Sequence, residues 1–285
     1  MTDGSQPLFL FGPGYCARAL AGDWAGPVHA FIRQKPAEAP PKDPRSASEE
    51  GVISLGSGPE NNRVLPGLRE AVRGAHVLVS APPGEAGCPG LSKLKPFAAQ
   101  AASITYLSTT GVYGDLGGGW AFEDTMVNPQ TRRARGRVAA ERAWQAVRPD
   151  TRIVRLPGIY GPGRSALDRV RAGQDRRIVK PGQVFSRAHV ADIAAGLKAL
   201  MLTGQSGVFH ICDDEAAPPQ DVSAHAARLL GLAPAPEVAL DEADLSEMAR
   251  SFYSECKRVS NARLKAATGW RPAYPTYREG LAAIL

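Results

Sequence analysis

Cysteine is scarce in this chain, and none of it is paired in sequence. The four residues, Cys16, Cys88, Cys212 and Cys256, include no C-x-x-C spacing, so neither a structural zinc nor a redox dithiol is expected. Scattered single thiols fit a reducing compartment, and a cytoplasmic protein is the expectation. Long apolar runs are missing too: none reaches the ~18 residues of a membrane span. Met1 to Gln6 carries an acid and lacks the basic start of a signal peptide, so no leader is expected. His29, His76, His210 and His225 show no ligand-like spacing, which argues against a metal. The formal charge is +6, yet no basic stripe interleaves with aromatics. That excludes an evident nucleic-acid surface and leaves a mildly basic protein whose small-molecule ligands carry phosphate.

What is present is an ordinary globular composition, 44% hydrophobic and 22% charged over 285 residues. Such a chain can stabilise its own core as one large α/β domain, or one domain with a smaller lobe. Short apolar runs read as strands at residues 7–11, 28–33, 52–55, 76–81, 104–108 and 151–156. Helical stretches fall between them at 15–20, 65–73, 94–102 and 133–147. A Pro- and Ser-rich segment, 36–50, reads as a loop where a crossover helix would be short. Regular alternation of strand and helix predicts a doubly wound parallel sheet, a Rossmann fold, over residues 1–157. Residues 158–285 mix helices and short strands and read mainly as a substrate-binding lobe.

The first run, Pro7 to Phe11, is followed by Gly12-Pro13-Gly14-Tyr15-Cys16-Ala17, a G-x-G-x-x-A loop opening a helix. The first glycine permits the tight turn, the second lets backbone approach a pyrophosphate, and Ala17 keeps helix and strand close. The helix N-terminus offers N–H groups to the phosphate. The strand–turn–helix context turns a weak motif into a dinucleotide-site prediction. An NAD site places Asp or Glu about 20 residues further on, to hold the ribose 2′-hydroxyl. Here that carboxylate is missing and Arg33 stands in its place, with Lys35 nearby. A guanidinium pairs with a 2′-phosphate, so NADP(H) is expected, with NAD as the alternative.

Three further segments complete a pattern: Tyr106 to Asp115, Arg155 to Gly163 and Arg187 to Ala194. With the glycine loop they resemble the extended short-chain dehydrogenase/reductases (SDRs), the NAD-dependent epimerase/dehydratase family. Ser108 to Asp115, His210 to Pro219 and Ser251 to Asn261 look most like its atypical YeeZ-like branch. The resemblance implies an oxidoreductase or epimerase/dehydratase-like enzyme on a small, sugar-like substrate. It also implies cofactor contacts from Ser80, Ala81, Pro82, Ser108, Pro157 and Gly158. The family uses a Ser or Thr, matched by Thr109, together with Y-x-x-x-K on one helix face. Both residues of that pair are absent: counting from Val138-Ala139-Ala140-Glu141, Arg133 stands for the Tyr and Arg137 for the Lys.

Arg137 can still donate to a ribose, but a guanidinium does not shuttle protons at working pH. Three readings follow. Another residue supplies the proton, Tyr113 first and Glu123 behind it; or Arg133 stabilises an oxyanion; or chemistry is lost and an NADP(H)-binding sensor or scaffold remains. Arg133 and Arg137 share the face that in the family looks into the active site, so an anionic substrate is expected there. His189 and Asp192 match a pattern that is architectural in relatives. Phe252, Tyr253, Trp270 and Tyr277 read as core or as pocket lining. The family's frequent dimers make a homodimer an open reading.

Overall fold

The computed structural model describes residues 5–32, 52–56 and 61–285. Arg33, Lys35 and the 36–50 loop lie outside those residues.

Leu8-Phe9-Leu10-Phe11 is buried at every position, as a strand flanked on both faces must be. It forms β1 (Leu8–Phe11). β2 (Val28–Ile32), β3 (Val52–Gly56), β4 (His76–Val79) and β5 (Ser103–Thr109) follow, then a two-residue β6 (Trp120–Ala121), β7 (Arg152–Leu156) and, later, β11 (Gly207–His210). Seven of these make one sheet in the order β11-β7-β5-β4-β1-β2-β3. The pairs β1–β2, β1–β4, β2–β3 and β4–β5 are parallel, with Leu8 opposite both Val28 and His76. Order reverses beside β1, the switch point where open α/β sheets bind ligands at the carboxyl ends of their strands.

The connections are helical. α1 (Tyr15–Gly22) and α2 (Asn61–Val72) flank β2 and β3, and α4 (Arg132–Val147) joins β6 to β7. The helix expected over 94–102 is not continuous. α3 (Pro89–Leu94) ends early, and a 3-10 turn runs from Lys95 to Gln100. Pro96 causes the break: it has no N–H to donate, and its ring clashes with the preceding turn. Two polar contacts lie at the start of the strands. His76 Nδ1 meets Ser103 Oγ at 2.7 Å, and the Trp24 indole donates to the Gln6 carbonyl at 2.9 Å.

Beyond β7 only β11 joins the large sheet, and the remaining strands form small parallel pairs. β8 (Gly158–Tyr160) pairs with β10 (Arg187–His189), β9 (Arg177–Val179) with β12 (Glu237–Ala239), and β13 (Arg258–Val259) with β6. Around them lie α5 (Ala166–Arg171), α6 (Val190–Leu202), α7 (Pro219–Leu229), α8 (Glu247–Phe252), α9 (Ala262–Thr268) and α10 (Tyr277–Ala282). Tyr160, Leu167, Val222, Ala226, Tyr277 and Leu281 form a separate apolar core there. No helix among the described residues is long and apolar enough to cross a membrane.

The compact units do not follow a single cut at residue 157. One comprises Met1–Leu107, Ala139–Ile153 and Leu197–Gly207; the other comprises Ser108–Val138, Val154–Gly196 and Val208–Leu285. The boundaries fall inside β5, α4, β7, α6 and β11, because the chain passes between units several times.

Candidate functional site

In the first unit, three residues connect β1 to α1. Gly12 has φ +81, a left-handed conformation that glycine adopts at little cost. A Cβ there would lie 2.9 Å from Ala81 Cβ and 3.2 Å from the Ala81 nitrogen. The turn is fastened on two sides. Gly12 N–H donates to the Phe31 carbonyl at 3.2 Å, and Gly14 N–H to Gly12 O at 2.7 Å. Ser80 and Ala81 N–H groups donate to Phe11 O at 3.1 and 3.3 Å, and the Ser80 hydroxyl donates to Gly12 O.

Gly14 differs from Gly12. Its φ of −77 suits any residue, and it is exposed. An added Cβ would meet nothing nearer than Ser80 Oγ at 3.9 Å. Among the described residues nothing places a steric demand for glycine here. Gly14 makes no side-chain cap, and the first turn of α1 carries no acid. No carboxylate of its own first turn offsets the positive end of the helix dipole. A glycine backbone and a helix start whose first turn carries no acid suit a pyrophosphate, so the residues present fit a dinucleotide. Pro13 and Tyr15 are half-buried beside it, Cys16 and Ala17 are buried beneath it, and Pro82 is exposed beyond the end of β4.

The second unit holds the other predicted residues. Ser108 is buried and Thr109 half-buried at the end of β5. Thr109 Oγ1 accepts the Gly111 N–H at 3.1 Å and so caps a 3-10 turn, Thr110–Tyr113. That oxygen still has a proton to donate. Arg133 is exposed and Arg137 half-buried in the first turns of α4, while Pro157 is half-buried between β7 and β8 and Gly158 is exposed at the start of β8.

Tyr113 is fully buried, and its hydroxyl is committed on two sides. It lies 2.6 Å from His210 Nε2 and accepts from Arg155 Nη1 at 2.8 Å. The Arg155 guanidinium also stands over the Tyr113 ring, 4.9 Å from its centre. His210 Nδ1 faces the Ser260 carbonyl at 2.9 Å and Glu123 Oε1 at 3.7 Å, both acceptors. The imidazole pKa is lowered to about 4, mainly by burial and further by Arg155 and Arg263, so the ring is neutral at pH 7. Its one proton therefore sits on Nδ1, and Nε2 receives the Tyr113 proton. Glu123 is buried as well. It accepts the His210 backbone N–H at 3.3 Å, and burial raises its carboxyl.

Sequence reasoning missed Arg155 and His210 as members of this cluster. A signal existed: Arg155 interrupts the buried run Arg152-Ile153-Val154-Arg155-Leu156, and a charge on a central strand needs a partner. Asp192 does the architectural work expected of it, accepting the Ala273 and Tyr274 N–H groups at 2.7 and 3.1 Å. His189 Nδ1 accepts from the Ala191 N–H. Of the C-terminal aromatics, Trp270 and Tyr277 are buried, Tyr253 stacks edge-on against Phe185, and Phe252 is exposed. The four cysteines are buried, and no disulfide joins them among the described residues.

A conserved protein of unknown function from Silicibacter pomeroyi is 42% identical, with 98% of both chains covered and a TM-score of 0.82. The dTDP-glucose 4,6-dehydratase of Bacillus anthracis, solved in complex with NAD, shares 16% identity at a TM-score of 0.75, over 98% of this chain and 94% of that one. The chain belongs to one family with the Silicibacter protein, built on the extended SDR fold of the NAD-dependent epimerase/dehydratases. A 3-diazoavenalumate denitrifying reductase from a Streptomyces species is 33% identical over 138 residues, 45% of each chain. The match thus spans under half the length of that curated relative. No family model matches the chain.

Proposed function

We propose that the protein is a nicotinamide-dinucleotide-dependent oxidoreductase or epimerase/dehydratase-like enzyme, preferring NADP(H), that acts on a small, anionic, sugar-like substrate. The observation that carries this reading is Gly14. Among the described residues its missing side chain answers no steric demand, and a glycine there lets a pyrophosphate come close to the start of α1. The NAD-bound dehydratase of the same fold supports a nicotinamide cofactor, and Arg33 supports the 2′-phosphate.

When bound, the nicotinamide supplies hydride exchange. In this reading Thr109 donates its hydroxyl proton to the substrate oxygen, because its own oxygen already accepts from Gly111. Arg137 holds the ribose, and Arg133 stabilises negative charge without moving a proton. Tyr113 serves best as a positioning residue: its hydroxyl bridges His210 and Arg155 and anchors the turn that Thr109 caps. That same commitment favours a second reading, an NADP(H)-binding sensor without turnover.

The experiment is a titration with NADPH and with NADH, read by nicotinamide fluorescence, in the wild type, Arg33→Asp and Gly14→Ala. Tighter NADPH binding, lost in Arg33→Asp and weakened in a folded Gly14→Ala, is expected. No binding of either nucleotide would sink both readings. Oxidation of bound NADPH by carbonyl compounds that disappears in Thr109→Val selects the enzyme; none in either protein selects the sensor.

A further inference from the structure

A cavity of about 350 Å³ lies in the second unit, where the residues after β6 meet those at the junction of β13 and α9. That is near the lower end of small-ligand sites, roughly 300–1,000 Å³. Its lining combines two carboxylates, Glu123 and Asp124, with the Arg263 guanidinium, the Ser260 side chain and the Phe122 ring. Phe122, Asp124 and Arg263 are exposed, whereas Glu123 and Ser260 are buried.

Glu123 is the member that calls for a partner. Its side chain is 5% exposed, and backbone N–H groups, its own and that of His210, hydrogen-bond its carboxylate. The His210 ring 3.7 Å away brings no positive charge at pH 7, because burial lowers its pKa to about 4. Arg263 acts on the carboxylate as a charge and lowers its pKa, but among the described residues no ion pair joins the two. The Arg263 guanidinium stands instead over the Phe209 ring, 5.5 Å from its centre. Two carboxylates thus share the lining with one guanidinium, which leaves room for one further positive charge. Burial raises the Glu123 carboxyl, and a bound cation would reverse that shift.

The other lining groups are donors and apolar surface. Ser260 Oγ accepts the Ala262 N–H at 3.2 Å and keeps its own proton to donate. With Arg263 it supplies donors for a carboxylate. The Phe122 ring offers a face to an apolar body. Acceptors for an ammonium, donors for a carboxylate and an aromatic face in one small cavity suit a zwitterion with an apolar side chain.

We propose that this cavity binds a free apolar α-amino acid, its ammonium held by Glu123 and Asp124 and its carboxylate by Arg263 and Ser260. The site goes beyond the proposed function and does not rest on it. Glu123 Oε1 also accepts from the His210 backbone, and the His210 ring meets the Tyr113 hydroxyl, so the bound ammonium sits beside that buried chain.

The test is calorimetric titration of the full chain with L-phenylalanine, with phenethylamine, which lacks the carboxylate, and with 3-phenylpropionate, which lacks the ammonium. The variants are Arg263→Gln, Asp124→Asn and Glu123→Gln. Arg263 and Asp124 are exposed, so their variants test the site even where Glu123→Gln does not fold. L-phenylalanine is expected to bind the wild type saturably, and each truncated probe more weakly by about tenfold or more. Arg263→Gln should reduce L-phenylalanine to the level of phenethylamine and leave phenethylamine no weaker. Asp124→Asn and Glu123→Gln should weaken both ammonium-bearing probes. Absence of saturable L-phenylalanine binding would overturn the proposal. So would a truncated probe that binds as tightly as the amino acid, or binding unchanged in all three variants. Titration of the same samples with NADPH reads the dinucleotide site separately, and its failure alone would leave this site standing.

Discussion

Replacing Tyr113 by Phe removes one oxygen and little else. The ring keeps its packing against Val112, Ala121 and Val138, and Arg155 keeps an aromatic face beneath it. The bond to His210 Nε2 and the bond from Arg155 Nη1 vanish. A neutral hydrogen bond is worth about 0.5–1.5 kcal/mol net and one to a charged group about 1.5–3 kcal/mol. Arg155 Nη1 retains the Glu123 carbonyl at 3.5 Å, which places the sum toward the lower end. His210 Nε2, an acceptor in a fully buried ring, keeps no partner. The expected loss is about 2–3 kcal/mol, or roughly 5 °C in Tm for a chain of this size. Urea and thermal unfolding followed by far-UV circular dichroism would read it. If the hydroxyl positions the Thr109 turn, the variant is destabilised and its folded fraction keeps most of its turnover. An unchanged midpoint with abolished turnover would refute the reasoning and make Tyr113 the proton shuttle.

Two further predictions concern the first unit. Gly12→Ala should lower the unfolding midpoint and abolish dinucleotide binding together, because φ +81 and the approach to Ala81 strain the folded turn. Gly14→Ala should separate the two effects, changing stability by no more than about 1 kcal/mol through the cap while weakening binding. Equal unfolding losses in both would contradict the lack of a steric demand at Gly14 among the described residues. His76 is lowered to about 4, chiefly by burial and then by Arg152. The unfolded imidazole takes up a proton near 6.5 while the folded one resists, so its stabilising contribution is present above 6.5 and lost as pH falls toward 4. The stability gap between wild type and His76→Phe, measured by urea midpoints, should therefore narrow over that interval; a constant gap would show that His76 titrates normally.

Much of this protein is legible in its sequence because the relevant forces are local. A four-residue apolar run closed by Gly-Pro-Gly specifies a buried strand, a left-handed turn and a helix start whatever lies elsewhere. The alternation of strands and helices fixes a parallel sheet for the same reason, and the Arg at position 33 is a matter of identity rather than geometry. Local rules misjudged one helix only where a proline intervened: Pro96 turned a predicted helix into a 3-10 segment.

What only the tertiary structure decided concerns groups brought together from distant positions. Tyr113, Arg155 and His210 lie on separate elements, and nothing in their spacing says that one hydroxyl will satisfy the other two side chains. Burial makes the difference. In water Tyr113 would remain a free phenol and a plausible acid, whereas in the core its hydroxyl must be paired with whatever polar atoms the fold supplies.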